Sequence, residues 1–122
     1  MPLYDATVHE LNANSIHDRF STYGAQFGWR RTFDIDELQS HANKGSVSII
    51  SAKRRDTNRS GHITAVVPEP DSLRAIRKKG LVTAPVQSQA GAKNDKYVVK
   101  NWWNTQEDGQ DKFSSFSFWM HD

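Results

Sequence analysis

The sequence contains no cysteine, and that absence removes three chemistries from its 122 residues: a disulfide scaffold, a thiolate-held zinc or iron–sulfur centre, and a cysteine nucleophile. No apolar run approaches the roughly 18 residues that a membrane helix needs. Met1-Pro2-Leu3-Tyr4-Asp5 has neither the basic nor the apolar region of a signal peptide. Charge of one sign is scarce as well. Lys and Arg number 16 against 14 Asp and Glu, and the resulting net charge of +2 gives little call for a polyanion, although a pI near 9 keeps nucleic acid open as a partner. There is no internal repeat, no low-complexity tract and no glycine loop of the kind that cradles phosphate; Gly24, Gly28 and Gly45 are spaced as helix ends. His9, His17, His41 and His121 lack zinc-protease spacing, so neither a metal nor another cofactor is expected. The neighbouring carboxylates Glu10 with Asp18, and Glu69 with Asp71, have no context that would split their pKa values, which speaks against glycan cleavage.

What the chain does have is rings. Four Trp, three Tyr and six Phe are present, and each ring can remove about 150–250 Å² from water. A single domain of this size hides roughly two-thirds of the surface its unfolded chain exposes. One compact domain over residues 1–122 is the natural reading.

Hydrophobic spacing then gives the order of elements. Asn12-Ala13-Asn14-Ser15 offers caps ahead of Ile16, Phe20 and Tyr23, an i, i+4, i+7 stripe that predicts a helix over about 15–23. Asp34 or Asp36 caps a second helix, ended by Gly45, with Leu38 and Ala42 turned inward. After Gly45 the period changes. A strand is predicted over about 46–52, a polar basic tip from Lys53 to Gly61, and a second strand from His62 to Val67 that Pro68 stops. A single helical turn through Leu73 and Ile76, a third strand at about 82–89, and a closing strand from Phe113 to Met120 complete the pattern. In the last of these, Phe116, Phe118 and Met120 fall on one side and Trp119 on the other. Tyr97-Val98-Val99 and Trp102-Trp103 read either as a helix edge or as a loop packing its rings inward. Helices first and antiparallel strands afterwards make an α+β domain.

Several segments taken together are more specific: Trp29, Ala42-Asn43-Lys44-Gly45, Val47 to Ala52, Ser60-Gly61-His62-Ile63, Gln89-Ala90-Gly91, Asn94 and the ending Trp119-Met120-His121-Asp122. In this order they resemble the C-terminal two-thirds of papain-like bacterial cell-wall amidases and endopeptidases, of the CHAP and NlpC kind, over about residues 10–122. The resemblance implies a papain-like fold with N-terminal helices on a small antiparallel sheet. It implies His62 as catalytic base, Gln89 as the group that orients it, Gln87 as the alternative orienting neighbour, and Asn94 in support. The implied substrate is the peptidoglycan stem peptide, met outside the cytoplasm, in the secreted or periplasmic setting of lysins and of antibacterial effectors that have an immunity protein. The family's nucleophilic Cys would precede the Ala-Asn helix, and this chain has none. The expectation is therefore a domain without its Cys-bearing helix, inert by itself, with an open apolar groove beside His62 and an upstream segment of the same polypeptide, or an immunity protein, as partner. Ser15 and Ser21 are poor replacements for a thiol.

Each of these residues also has a plainer reading. His62 reads as a strand-start histidine bonded to the hairpin loop, Gln89 as a turn residue, and Lys53-Arg54-Arg55 with Arg59 as a solvated tip. Trp102 and Trp103 read as binding rings that stack on a ligand, or as core. Two other function classes stand beside the enzyme: a non-catalytic module that binds peptidoglycan or protein through the groove near His62, and a basic domain that binds nucleic acid through the hairpin tip.

Overall fold

The computed structural model describes residues 13–89 and 97–122, with Gln89 described by its backbone alone. Expectations placed on His9, Glu10, Asn12, Ala90, Gly91 and Asn94 lie outside the described residues. The chain runs through helix α1 (Ala13–Tyr23), a 3-10 turn (Gly24–Phe27), β1 (Arg30–Thr32) and α2 (Ile35–Asn43). The strands β2 (Val47–Arg54), β3 (His62–Val66), β4 (Ile76–Lys78), β5 (Leu81–Ala84) and β6 (Val86–Gln89) follow. Then come β7 (Tyr97–Val99), β8 (Gln106–Glu107), β9 (Gln110–Asp111) and β10 (Phe113–His121). Six strands form one antiparallel sheet in the order β1-β10-β2-β3-β6-β7, while β4-β5 and β8-β9 are separate two-stranded ribbons. The fold is α+β.

Alternation along the strands decides what each face meets. On one face Ile50, Ala52, Val66, Phe118 and Met120 join Leu38 and Ala42 of α2 and the rings of Trp102, Trp103 and Phe113 in one core. Each large side chain fully buried there contributes about 1.5–3 kcal/mol. Helix α2 starts where the Asp34 carboxylate accepts the Asp36 amide at 2.9 Å, and its first turn carries Asp36 and Glu37, which suit the positive end of the helix dipole. It also buries Gln39, whose amide takes the Val86 N–H at 2.9 Å and donates to the Val67 carbonyl at 2.8 Å, fastening the helix across β3 and β6.

Helix α1 lies on the opposite face, and it lays only part of its apolar stripe on the sheet: Phe20 packs against Trp119 of β10, with ring centroids 5.6 Å apart. Asn14 and His17 are the side chains it buries, and Tyr23 is left half-exposed. The reason is the sheet itself: below His17 that face presents Ser51 and Ser115, which need hydrogen-bond partners and not methyl groups, while Trp119 takes Phe20. Asn14 accepts the Arg54 amide at 2.8 Å and donates to the Arg59 carbonyl at 2.7 Å, so the first turn of α1 closes the β2–β3 hairpin.

Three sequence expectations change. The predicted third strand is split by the buried Pro85, which has no N–H to give a ladder; β5 pairs with β4, and β6 with β3 and β7. Residues 71–72 form a turn that leads into β4, in place of a helical turn ending at Gly80. Tyr97-Val98-Val99 is the edge strand β7, after which Trp102 and Trp103 turn into the core.

Candidate functional site

His62 opens β3 opposite Ala52 of β2. Its imidazole stands edge-on to the indole of Trp102, with ring centroids 4.7 Å apart and planes at 80°. Trp102 is held in turn. Its N–H donates to the Gln87 amide oxygen at 2.8 Å, which also accepts the Thr64 hydroxyl at 2.6 Å. The Gln87 amide nitrogen donates to the carbonyls of Lys100 at 2.8 Å and Pro85 at 3.2 Å. Gln87 is wholly buried with donors and acceptor all engaged, so no ligand reaches it and it acts as the anchor of the indole. Trp103 is a core ring against Trp102, Phe116 and Phe118. Of the two tryptophans, only Trp102 reaches the cleft.

That cleft has a volume of about 570 Å³. His62, Gly61, Trp102 and Phe113 line it, with Arg54, Lys100, Lys112 and Glu107 bringing charge to it. The apolar groove expected beside His62 is thus replaced by a mixed surface, aromatic beneath and charged around, because the 100–112 segment covers the hairpin end of the sheet. Arg54 grips Glu107 with two bonds of 2.8 and 2.6 Å, which holds the Glu107 carboxyl below its usual pKa. Burial, and after it the charge of Lys112, pushes the His62 imidazole below its usual pKa, so the ring is neutral at pH 7 and able to take a proton.

Gly61 is needed for packing. A Cβ there would run into the Ala52 carbonyl and the Asn14 side chain, so only glycine lets β3 start this close to β2 and α1. Gln89 lies on β6, beside β3, with its Cα opposite Thr64 and hence two residues along from His62. The sequence order therefore does bring the two positions onto adjoining strands.

The chain matches none of the protein-family models, curated proteins or solved structures against which it was compared. Its chemistry has to be read from its own residues.

Among the described residues, no three His, Asp or Glu gather to hold a metal ion, and no helix is long and apolar enough to cross a membrane. The other described imidazoles each have a neighbour: His17 lies between Ser51 and Ser115, His121 meets the Phe27 carbonyl at 3.0 Å, and His41 stands 3.1 Å from the Asp122 carboxylate. Ser21 bonds back to the His17 carbonyl. The basic tip is matched by acids, with Arg59 beside Asp56 and Glu107, Arg55 beside Asp111, and Lys53 beside Asp18. Those pairs use up the surplus positive charge that a phosphate backbone would call for. Glu69 is locked by Arg77, Asn43 and the Ala75 amide, which lowers its pKa to about 2 and removes it from general acid chemistry. The residues that the sequence pattern did not single out are Glu107 and Lys112, and Arg54 was read only as part of the basic tip; the Asp108-Gly109 turn signal was the available pointer to the ribbon that brings Glu107 to the cleft.

Proposed function

We propose that this chain is the histidine-bearing part of a papain-like amidase or endopeptidase that acts on peptidoglycan stem peptides. The observation that carries the reading is a half-buried imidazole on the wall of an open cleft, edge-on to an anchored tryptophan. In this reading His62 deprotonates a thiol and later protonates the leaving amine, and Gln89 orients its ring. Asn94 supports the pair, Trp102 offers an edge to the peptide, and Gln87 fixes Trp102. The thiol comes from a segment outside these 122 residues, and the site of action is extracytoplasmic, where an immunity protein would be a partner if the parent protein is an antibacterial effector.

The same cleft also fits a module that binds stem peptide or protein without cutting it, a reading favoured by the absence of any cysteine in the chain. One experiment separates the two. Release of new amines from purified peptidoglycan is measured with the chain alone and with a version extended upstream to an encoded Cys. The enzyme reading expects the chain alone to be inert, and the extended chain to cleave and to lose that activity on His62→Ala. Binding that depends on Trp102 with no cleavage by the extended chain selects the module. Comparable cleavage by the Cys-free chain overturns the thiol mechanism.

A further inference from the structure

The buried histidine of α1 has no part in the His62 cleft and lies on the other face of the sheet. His17 is almost wholly buried, at 4% exposure. Its Nδ1 is 3.2 Å from the Ser51 carbonyl and 3.1 Å from the Ser51 hydroxyl. A carbonyl can only accept, so Nδ1 carries the proton and Nε2 is left as the acceptor. Against Nε2, at 2.8 Å, stands the hydroxyl of Ser115. Ser115 is an exposed residue and His17 a buried one, so the part-buried bond between them lies where the surface meets the interior.

The backbone is shaped for this contact. Phe113 pairs with Arg54 and Ser115 with Lys53, so β10 carries an irregularity at Ser114. In a regular strand Phe113 and Ser115 would share a face. The bulge turns Ser115 over to the His17 side while Phe113 stays in the Trp102 core, and bulges commonly re-aim a side chain in this way. Burial holds the His17 imidazole below its ordinary pKa, opposed by the bond to Ser51 and by Asp18 on α1, with Arg31 of β1 and Lys53 of β2 adding to the lowering. The ring is neutral, the state required of a base.

We propose that Ser115, His17 and Ser51 form a nucleophile, base and orienting group, a second reactive site whose substrates are activated esters and phosphoryl compounds. The hydroxyl proton passes to His17 Nε2 as Ser115 Oγ bonds to the carbonyl carbon. The bond to the leaving oxygen then breaks and that oxygen takes the proton from His17. Water, deprotonated by the same nitrogen, hydrolyses the acyl-serine and restores the hydroxyl. With a fluorophosphonate the Oγ–P bond forms, the P–F bond breaks, and fluoride leaves with the proton, so the label stays.

The test treats the full chain with a fluorescent fluorophosphonate and locates the label by peptide mass. The expected result is a single label on Ser115, absent from Ser115→Ala, retained in Ser114→Ala, and formed at least tenfold more slowly in His17→Gln. Because burial lowers the His17 pKa, the labelling rate should hold as pH passes through about 6.5, the ordinary histidine value, and fall only at lower pH. A label that is absent, that lies elsewhere, or that forms equally fast without His17 overturns the proposal. Because His17→Gln removes a buried contact and can unfold the chain, Ser115→Cys gives an independent reading on the intact fold. Its thiol would be the chain's sole cysteine, and alkylation with an apparent pKa below the usual value of about 8.5 supports the pair, whereas a value at or above it counts against. The two sites use different histidines on opposite faces, so failure here leaves the His62 reading standing, and the reverse.

Discussion

Glu69 shows at the scale of a single residue how much the loop after β3 depends on one charge. Its side chain is 2% exposed and meets Arg77 through bonds of 2.9 and 2.5 Å, with Asn43 at 3.0 Å. A pKa of about 2 in the fold against 4.5 for the free group means that the folded state favours the ionised form. That stability is complete above about pH 4.5 and is lost as pH falls towards 2, with an upper size of about 3 kcal/mol. Denaturant midpoints measured from pH 6 to pH 2 should therefore fall in the native chain and much less in Glu69→Gln, which starts lower and stays flatter. Gln87 works through geometry instead of charge. Gln87→Ala strands the Trp102 N–H, the Thr64 hydroxyl and the Lys100 carbonyl in a buried place, and should cost about 2–4 kcal/mol in chemical unfolding. The variant should also release the indole from His62, which a change in tryptophan fluorescence would report.

Among the elements, hairpins separate what local sequence reveals from what it hides. Ser60-Gly61-His62 looks like an ordinary turn before a strand, yet the requirement at Gly61 is set by Ala52 and by Asn14, far away in the chain. Gly109 differs: with Asp108 at φ 53° and Gly109 at φ 78°, it sits in a two-residue turn whose demand is purely local. Gly61→Ala should accordingly destabilise by about 2–3 kcal/mol or prevent folding, since backbone must move. Gly109→Ala, with open space around it, should cost about 1 kcal/mol from its positive φ. Thermal unfolding of the two variants beside the native chain checks the contrast. Both helices, the β2–β3 hairpin and β10 were legible because spacing, caps and β-branched runs act within a few residues. The split at Pro85 was printed in the sequence too, since a proline inside a predicted strand argues against continuity. The orientation of α1 was not legible, because the serines that choose His17 over Ile16 are 34 and more residues away.

For the whole molecule, the same distinction governs the site. His62 and Gln89 could be placed on adjoining strands from order alone, whereas the charged surroundings of the cleft gather residues far apart in the chain: Arg54 at the end of β2, Lys100 after β7, Glu107 on β8 and Lys112 after β9. Stability should be graded accordingly. Hydrogen exchange is expected to be slowest in β2, β3 and β10, which are hydrogen-bonded on both sides, and fastest in the β4–β5 and β8–β9 ribbons. Equal protection throughout would contradict this ordering.

The two margins of the large sheet, β1 and β7, are each three residues long. A second chain approaching side-on would find few unpaired amides and carbonyls at either border, and at β1 it would also meet the guanidinium groups of Arg30 and Arg31. Six adjoining strands are a ready template for fibril growth, and among the described residues the template is cut short at both of its borders.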